Sequence, residues 1–303
     1  MFNKFNLIEA NTVDEFWDIL SPQKTLGDKP SQFIYRGQRD ASWHLIPSIL
    51  RKNSPSKIIF GQREMTADEQ ILSERAILEQ FVKQCDLLGL KIVNDSAELR
   101  KNLDPRTYPA DKYYINPSEW PNEELIELMA LAQHHGVPTH LLDWSKRSYV
   151  AAYFAASTAL AKRNIEENNT KIAVWALDVE KIRSYKNINI IKVPGSTSSN
   201  LAAQSGLFTV LKQPIGRGQP FPQKPLEDEF ASFPNTPLWK ITLPVKYTAK
   251  VLDLCELYGV SASTLFSGFD GAAKAVKDWI NKCRYLNLHE KSEQESGEGS
   301  STH

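Results

Sequence analysis

Stretches with the helical period of 3.6 residues and stretches with the pattern of buried strands follow each other along the chain, which predicts a mixed α/β fold. The clearest helix is predicted over residues 66–90, where Thr66 and Glu69 form a capping box ahead of an apolar stripe. The clearest strand is predicted over residues 172–177, because a continuously apolar run is typical of a strand buried on both faces. Further helices are predicted at 12–20, 122–135, 149–161, 252–258 and 270–282, and further strands at 32–37, 139–144, 188–193, 206–211, 238–243 and 250–252.

The same patterns divide the chain into three unequal parts. Residues 1–29 are expected to form a helical N-terminal portion, and residues 30–285 a single sheet-containing domain of mixed α+β structure. Residues 286–303 are rich in Ser, Gly and Glu and are expected to form a disordered tail. A polar stretch at 94–121 predicts loop with a short helix.

Composition narrows the class of protein. The 303 residues are 41% hydrophobic and 24% charged, which is typical of a globular domain and excludes wholesale disorder. Basic and acidic residues balance at 36 each, so binding of nucleic acid through bulk charge is excluded and would need a local patch. Without a signal sequence or an apolar run long enough to cross a membrane, the chain is expected to be cytoplasmic. Cys85, Cys255 and Cys283 are predicted to be buried thiols in a reducing compartment.

An arginine stands at the end of the strand predicted over residues 32–37, between Tyr35 and a glycine expected to turn the backbone, Gly37. A guanidinium fixed at that point can hold a phosphate or a carboxylate through two parallel hydrogen bonds. The residues alone leave a second interpretation open, in which Arg36 is structural and pairs with a core aspartate such as Asp143.

Polar and aromatic residues are dense in the segment Q-H-H-G-V-P-T-H-L-L-D-W at 133–144, between a predicted helix and a predicted strand. His134 and His135 are adjacent and point to different sides of a helix end, and His140 lies beyond a proline, so the spacing does not fit a metal site. Such a density of polar groups at a strand end is typical of a binding crevice. The histidines and Asp143 would otherwise only satisfy backbone groups of the turn.

Several motifs resemble the FRG domain family, which is named for its (F/Y)-R-G motif. They are Tyr35-Arg36-Gly37, the Q-H-x-G-x-P-T stretch with its Leu-Leu-Asp-Trp continuation, Ala151-Ala152-Tyr153-Phe154-Ala155, Gln204-Ser205-Gly206-Leu207-Phe208, and residues 263–271. The chain departs from the family pattern at His140, where the family usually has arginine, and at Ser267, where it usually has proline.

The FRG pattern is in turn similar to that of the ADP-ribosyltransferases, which implies an ADP-ribosyltransferase-like fold, NAD as the substrate and no metal. By the order of the motifs, the resemblance implies that Arg36, Asp143 and Gln204 are catalytic and that Arg36 holds the pyrophosphate or ribose of NAD. It also implies a set of residues that bind NAD, and it implies that Asp143, Trp144 and Ser145 with Tyr153 shape the nicotinamide pocket. The whole set is Tyr35, Gly37, Gln133, His134, His135, Thr139, Trp144 and Tyr153.

The third motif lacks the carboxylate that this chemistry needs. Loss of nicotinamide passes through an oxocarbenium-like state whose positive charge a carboxylate stabilises. Gln204 is neutral and no glutamate lies between Glu180 and Glu227, so either Asp143 or Asp270 supplies the charge, or the protein binds a nucleotide without catalysis. A Ser-Thr-Ser run at 196–198 resembles a motif of arginine-modifying transferases, but its position after Pro194-Gly195 indicates a flexible turn.

Three functions therefore remain. The first is an NAD-dependent ADP-ribosyltransferase that modifies a macromolecular acceptor, either protein or nucleic acid, as a bacterial toxin or phage-defence effector with an antitoxin or regulatory partner and no membrane association. The second is a non-catalytic nucleotide or nucleic-acid binding module. The third is a structural interaction domain, which would be favoured if Arg36 were buried and fully paired with no cleft beside it.

Overall fold

One mixed sheet runs through the computed structural model, which describes residues 2–298 apart from 24–25, 27–31, 53, 55–56, 59–60, 62, 105–114, 163–169, 196–198 and 233, and describes only the backbone of 289–298. The Ser-Thr-Ser run at 196–198 lies outside the described residues. The strands are β1 (Asn6–Glu9), β2 (Phe33–Gln38), β3 (Leu142–Ser145), β4 (Lys171–Asp178), β5 (Ile188–Ile191), β6 (Gly206–Leu211) and β7 (Leu238–Pro244). Their order is β1-β7-β4-β2-β3-β6-β5; β1 and β7 are parallel and the other neighbours are antiparallel.

Helices cover this sheet on one face and short helical turns contribute to the other. The α-helices of the described chain are α1 (Val13–Leu20), α2 (Ala67–Leu87), α3 (Ala97–Leu103), α4 (Glu123–His134), α5 (Ser148–Leu160), α6 (Val179–Ile182), α7 (Ser199–Ala203), α8 (Thr248–Leu257), α9 (Ala262–Leu265) and α10 (Gly268–Glu298). Turns of 3-10 helix lie at Ser48–Leu50, Pro117–Glu119, Leu226–Ser232 and Val245–Tyr247. The prediction of a mixed α/β fold is confirmed. None of these helices is both long enough and apolar enough to cross a membrane.

Most of the predicted elements are confirmed within a few residues, and the exceptions are two short strands and the end of the last helix. The strand predicted at 250–252 is wrong, because Ala249, Val251, Leu252 and Cys255 are buried at helical spacing inside α8. Strand β1 was not predicted, because its four residues are mostly exposed and show no apolar alternation. The N-terminal portion thus adds an edge strand to the sheet besides α1, and α10 continues into residues that were assigned to the tail.

The hydrophobic core divides into three clusters. The first joins α1, α5 and α8 to β2, β4 and β7, and the second joins α2, α3 and α4 to Phe208 and Val210 of β6. The third contains Trp144, Trp175 and residues of the Leu226–Ser232 turn. Because successive side chains of a strand point to opposite faces, the third cluster lies across the sheet from the first two.

Close packing of β2 against α5 accounts for Gly37. A Cβ atom at Gly37 would lie 2.0 Å from the carbonyl oxygen of Ala151 and 2.8 Å from the amide nitrogen of Ala155, so no larger residue fits. The predicted turn at Gly37 is wrong, because β2 continues to Gln38, which pairs with Ala173 of β4. The glycine of the first motif and the alanines of α5 therefore form one contact between sheet and helix.

Candidate functional site

Strands β2 and β3 meet at one point and then separate. In the described chain their ladder consists of the pair Tyr35–Ser145. Beyond it, the side chain of Arg36 reaches across the gap, where its Nη1 donates a hydrogen bond of 2.6 Å to the carbonyl oxygen of Asp143 and lies 2.5 Å from Oδ1 of that residue. The guanidinium thus occupies the backbone carbonyl of Asp143, which a strand would otherwise use, and it holds the carboxylate of the same residue in position.

This ion pair is unequally exposed. The side chain of Arg36 is 10% exposed and that of Asp143 is 62% exposed, so a buried cation holds a carboxylate that faces solvent. Partial loss of hydration beside the protein would raise the pKa of Asp143, but the charge and hydrogen bond of Arg36, with the charge of Arg51, hold that pKa below its ordinary value. The Nε atom of Arg36 is buried and has no hydrogen-bond partner in the described structure. Arg36 is therefore paired, as the structural interpretation expected, but it is not fully satisfied.

A chain of hydrogen bonds extends from Asp143 to the end of α4. Nε2 of Gln133 donates to Oδ1 of Asp143 at 3.3 Å, and the hydroxyl of Thr139 donates to Oε1 of Gln133. The amide of Thr139 in turn donates to Oγ of Ser48 at 3.1 Å. Gly136, with φ of +85°, ends α4 and turns the chain back, so Gln133 and Thr139 face each other across the turn.

These groups open onto a cleft of about 290 Å³, called here the Arg36 cleft, which is lined by Arg36, Ser48, Arg51, Gln133, Gly136, Val137, Pro138, Leu141 and Asp143. Arg51 was not predicted as a site residue, because it lies in a stretch of sequence with no periodic pattern. Its Nε donates to the carbonyl oxygen of Ile46 at 3.2 Å. Asp143 is the one carboxylate among the described lining residues, against two guanidiniums, so the cleft carries a net positive charge.

Three aromatic residues expected at the NAD site lie away from this cleft. Trp144 is buried in the third core cluster, where its Nε1 donates to Oγ1 of Thr209 at 2.9 Å. Tyr153 is buried in the first cluster, and its hydroxyl donates to Oδ2 of Asp278 at 2.5 Å. Tyr35 is also in the first cluster, and burial raises its pKa to about 12. The alternation of side chains along β2 and β3 turns Tyr35 and Trp144 into the core on either side of the cleft residues.

The histidines lie outside the cleft as well. Nε2 of His134 is 3.0 Å from Nδ2 of Asn200, and burial, with the neighbouring His135, lowers the pKa of His134. The ring of His135 stacks on Phe81 with centroids 6.5 Å apart. His140 is buried, with Nδ1 3.2 Å from Oε1 of Glu74. In the described ranges no group of His, Cys, Asp or Glu side chains is arranged to hold a metal ion.

Gln204 is held at the end of β3 rather than in the cleft. The side-chain Nε2 of Gln204 donates to the backbone carbonyl oxygen of Leu265 at 3.2 Å. The backbone carbonyl oxygen of Gln204 accepts a hydrogen bond of 2.8 Å from Oγ of Ser145. Asp270 is exposed in the first turn of α10 and does not line the cleft. Of the two carboxylates considered for charge stabilisation, the structure brings Asp143 to the cleft.

Comparison with known proteins gives one match. Residues 31–164 match the family model of the FRG domain. The searches of curated proteins and of solved structures each found no match. The matched segment contains β2, β3, α4 and α5, and every described residue that lines the Arg36 cleft falls inside it. The chain therefore contains an FRG domain at residues 31–164.

Proposed function

We propose that the Arg36 cleft binds NAD and that the chain transfers the ADP-ribose group of NAD to a macromolecular acceptor. The observation that carries this proposal is the ionised carboxylate of Asp143, which opens to solvent in the same cleft as two guanidiniums. The guanidiniums match the phosphates of NAD, and the carboxylate that Arg36 holds at 2.5 Å matches the developing ribosyl cation.

Arg36 and Arg51 have the chemistry to bind the pyrophosphate. Arg36 uses Nη1 for Asp143, which leaves Nη2 for a ligand, and Arg51 uses Nε for Ile46, which leaves both of its terminal nitrogens. Guanidinium groups bind phosphate oxygens through parallel, charge-assisted hydrogen bonds. With 290 Å³, the cleft is at the small end of ligand pockets, so it would hold the ribose and phosphates while the rest of NAD crosses its rim.

Asp143 would stabilise the reacting carbon. The bond between C1′ of the ribose and the nicotinamide nitrogen breaks, and nicotinamide leaves as a neutral molecule with the bonding electrons. A nucleophilic oxygen or nitrogen of the acceptor then forms the new bond to C1′ and loses its proton to solvent or to a carboxylate. Because Arg36 keeps Asp143 ionised, the carboxylate is available as a negative charge throughout this step.

The positions of the three motifs support the same proposal. Strands β2 and β3, which carry the first two, are neighbours in the sheet, and β6, which follows Gln204, pairs with β3. The order of motifs that resembles the ADP-ribosyltransferases thus corresponds to three adjacent strands. As a toxin or phage-defence effector, such an enzyme would arrest the growth of a bacterium that expresses it.

A second candidate function is a nucleotide-binding module without catalysis. It is favoured by Gln204, whose amide is engaged by Leu265 and contributes nothing to the cleft. In that case the guanidiniums would still bind the ligand, but no turnover would follow.

The test is incubation of the purified chain with adenine-labelled NAD and a bacterial lysate, followed for nicotinamide release and for label on macromolecules. Arg36→Ala is compared with Arg183→Ala, which removes an exposed arginine that pairs with Glu180 at 3.2 Å. We expect release and transfer in the wild type and in Arg183→Ala, and at least a ~100-fold loss in Arg36→Ala. Saturable NAD binding without release would favour the second candidate, and no binding by folded protein would remove both.

A further inference from the structure

Basic residues concentrate in the segment that forms one wall of the Arg36 cleft. Residues 36–63 contain six arginines and lysines and one acidic residue, although the whole chain carries 36 of each sign. Ser48 and Arg51, which line the cleft, belong to this segment. A balanced protein therefore places a local excess of positive charge beside its candidate site.

Several of these cations have no carboxylate partner in the described part of the chain. Arg39, Arg51 and Lys52 make no ion pair there, whereas the exposed arginines Arg63 and Arg100 are paired with Glu69 and with Asp86 and Asp95. Partial loss of hydration lowers the pKa of Arg51, and the charges of Arg36 and Arg39 lower it further while Asp143 acts in the opposite direction, so Arg51 lies close to both of the other guanidiniums. Asp143 offsets part of this repulsion, but the three guanidiniums leave an excess of positive charge, which is typical of an anion-binding surface.

The carboxylates nearby are turned to other partners. Asp40 accepts hydrogen bonds from the amide and the hydroxyl of Ser42, at 2.9 and 2.6 Å. Glu227 is buried, 2.7 Å from Nδ1 of His44, and accepts a hydrogen bond from the amide of Leu45 at 3.1 Å. Neither carboxylate forms an ion pair with Arg39, Arg51 or Lys52 in the described residues, so the positive charge of these three side chains is available to a ligand.

An aromatic ring stands among these cations. Trp43 is 37% exposed and belongs to none of the three core clusters of the described chain. The guanidinium of Arg39 lies 4.7 Å from the centroid of its ring. An exposed aromatic side chain beside an arginine without a carboxylate partner is an arrangement on which single-stranded nucleic acids stack their bases while their phosphates contact the cations.

We propose that the acceptor of the transferred group is a single-stranded nucleic acid that binds the surface formed by Arg39, Trp43, Arg51 and Lys52, called here the Trp43 rim. The acceptor role rests on the proposed function, whereas the binding of the strand at the Trp43 rim does not. Phosphates contact Arg39 and Lys52, one base stacks on Trp43, and the strand passes the mouth of the Arg36 cleft. An acidic protein would satisfy the cations, but it would make no use of the exposed part of the Trp43 ring.

Binding is tested with fluorescein-labelled single-stranded RNA and DNA of about 20 nucleotides, by anisotropy between about 50 and 200 mM salt. The Arg39→Ala/Lys52→Ala variant is compared with Arg183→Ala/Lys246→Ala, which removes the same charge from exposed positions elsewhere. We expect the affinity of the first variant to be at least ~10-fold weaker. The slope of log K against log salt concentration should be smaller in magnitude by about 1.4, because two phosphate contacts are lost, and the control should stay close to wild type.

The ring of Trp43 is tested in the same assay. Trp43→Ala is expected to weaken binding by about 10-fold and Trp43→Phe by less than about 3-fold. Equal binding by the two double variants, or by Trp43→Ala and wild type, would overturn the assignment.

The chemistry is tested apart from the binding. Nicotinamide release without any acceptor reports on the proposed function, and the Trp43 variants are expected to keep it. Release together with label that nuclease removes would support the inference, and label that only protease removes would overturn it in favour of a protein acceptor. Strand binding without any release would instead leave the Trp43 rim in place and reject the proposed transferase.

Discussion

The residues from Thr139 to Asp143 pass between two polar clusters that are built in opposite ways. On one side, Glu74 accepts hydrogen bonds from Nε2 of Gln70 at 2.7 Å and from Nε1 of Trp120 at 2.8 Å, and it faces His140 at 3.2 Å. Every one of these side chains is buried. On the other side, the Arg36 cleft joins a buried guanidinium to an exposed carboxylate and leaves donors without partners. The cluster of Glu74, Gln70, Trp120 and His140 is called here the closed cluster.

The difference separates residues that hold the fold from residues that can meet a ligand. In the closed cluster both oxygens of Glu74 are used by protein donors, so nothing remains for a ligand. In the cleft, Arg36 and Arg51 keep unused donors. Thr139 and His140 are adjacent, yet one belongs to the cleft network and the other to the closed cluster. The departure from the family arginine at His140 therefore affects the packing of the core and not the lining of the cleft.

The largest effect is expected from breaking the closed cluster at Glu74. Glu74→Ala leaves Gln70, Trp120 and His140 without their buried acceptor, and loss of one partner from such a network costs about 3–5 kcal/mol. We expect the free energy of unfolding, measured by urea denaturation, to fall by about that amount. NAD affinity, measured on the fraction that remains folded, is expected to change by less than about 3-fold because Glu74 does not line the cleft.

Glu74→Gln is the matched control for this change. The amide oxygen keeps one acceptor, so we expect roughly half of the loss in stability. A variant at Glu74 that kept full stability but lost NAD binding would reverse the comparison and place the closed cluster in the functional site.

A smaller effect, confined to the cleft, is expected from Asp143→Asn. The substitution keeps the shape and removes the negative charge, so nicotinamide release should fall by ~100-fold, about 2.7 kcal/mol in the barrier. NAD affinity should stay the same or rise, because a charge that repels the phosphates is lost. These two constants are measured by steady-state release and by calorimetry, and an equal fall in both would indicate that Asp143 only positions the ligand.

The pH dependence of nicotinamide release gives a second test of the role of Asp143. The folded pKa of Asp143 lies below its ordinary value of about 3.9, so the carboxylate stays ionised as the pH falls from 7 to about 5, and release by the wild type should show no break from this group. The contribution of the Arg36–Asp143 pair to stability is likewise present above the ordinary pKa and lost as the pH falls through the lower, folded value. A break in release near neutral pH that disappears in Asp143→Asn would contradict the assignment.

The sequence predicted the parts of this comparison that depend on local pattern. The strand that carries Arg36, the helix that ends before Gly136 and the polar density around Asp143 were all visible in the spacing of residues, and the structure brings Arg36, Gln133 and Asp143 together. Arg51 was not visible, because hydrogen bonds between Ser48 and Thr139, which are 91 residues apart, bring its segment to the cleft. Long-range contacts of this kind leave no periodic signal along the chain.

Tyr35, Trp144 and Tyr153 lie in the core instead of the cleft for a different reason. A motif shows which residues are close along the chain, but the face of the strand or helix on which each side chain lies decides where it points. Trp144 follows Asp143 directly and points to the other face of the sheet, where it packs in the third core cluster. Aromatic content near a motif is therefore weak evidence for a binding site until the register of the strand is known.

The smallest effect is expected from Tyr153→Phe, which separates sequence proximity from spatial proximity. The variant removes the hydrogen bond to Asp278, which keeps Lys274 at 3.5 Å, and should lower the free energy of unfolding by only about 1–2 kcal/mol. NAD affinity and nicotinamide release should remain within about 2-fold of wild type, because Tyr153 lies in the first core cluster and not in the cleft. Binding and release are measured on the same preparation, so a loss of folded protein cannot pass for a loss of function. A larger change in NAD affinity would mean that a change in α5 alters the cleft through the close packing of Ala151 against Gly37, the residue next to Arg36. Gly37 would then couple α5 to the cleft besides allowing the close packing of helix and sheet.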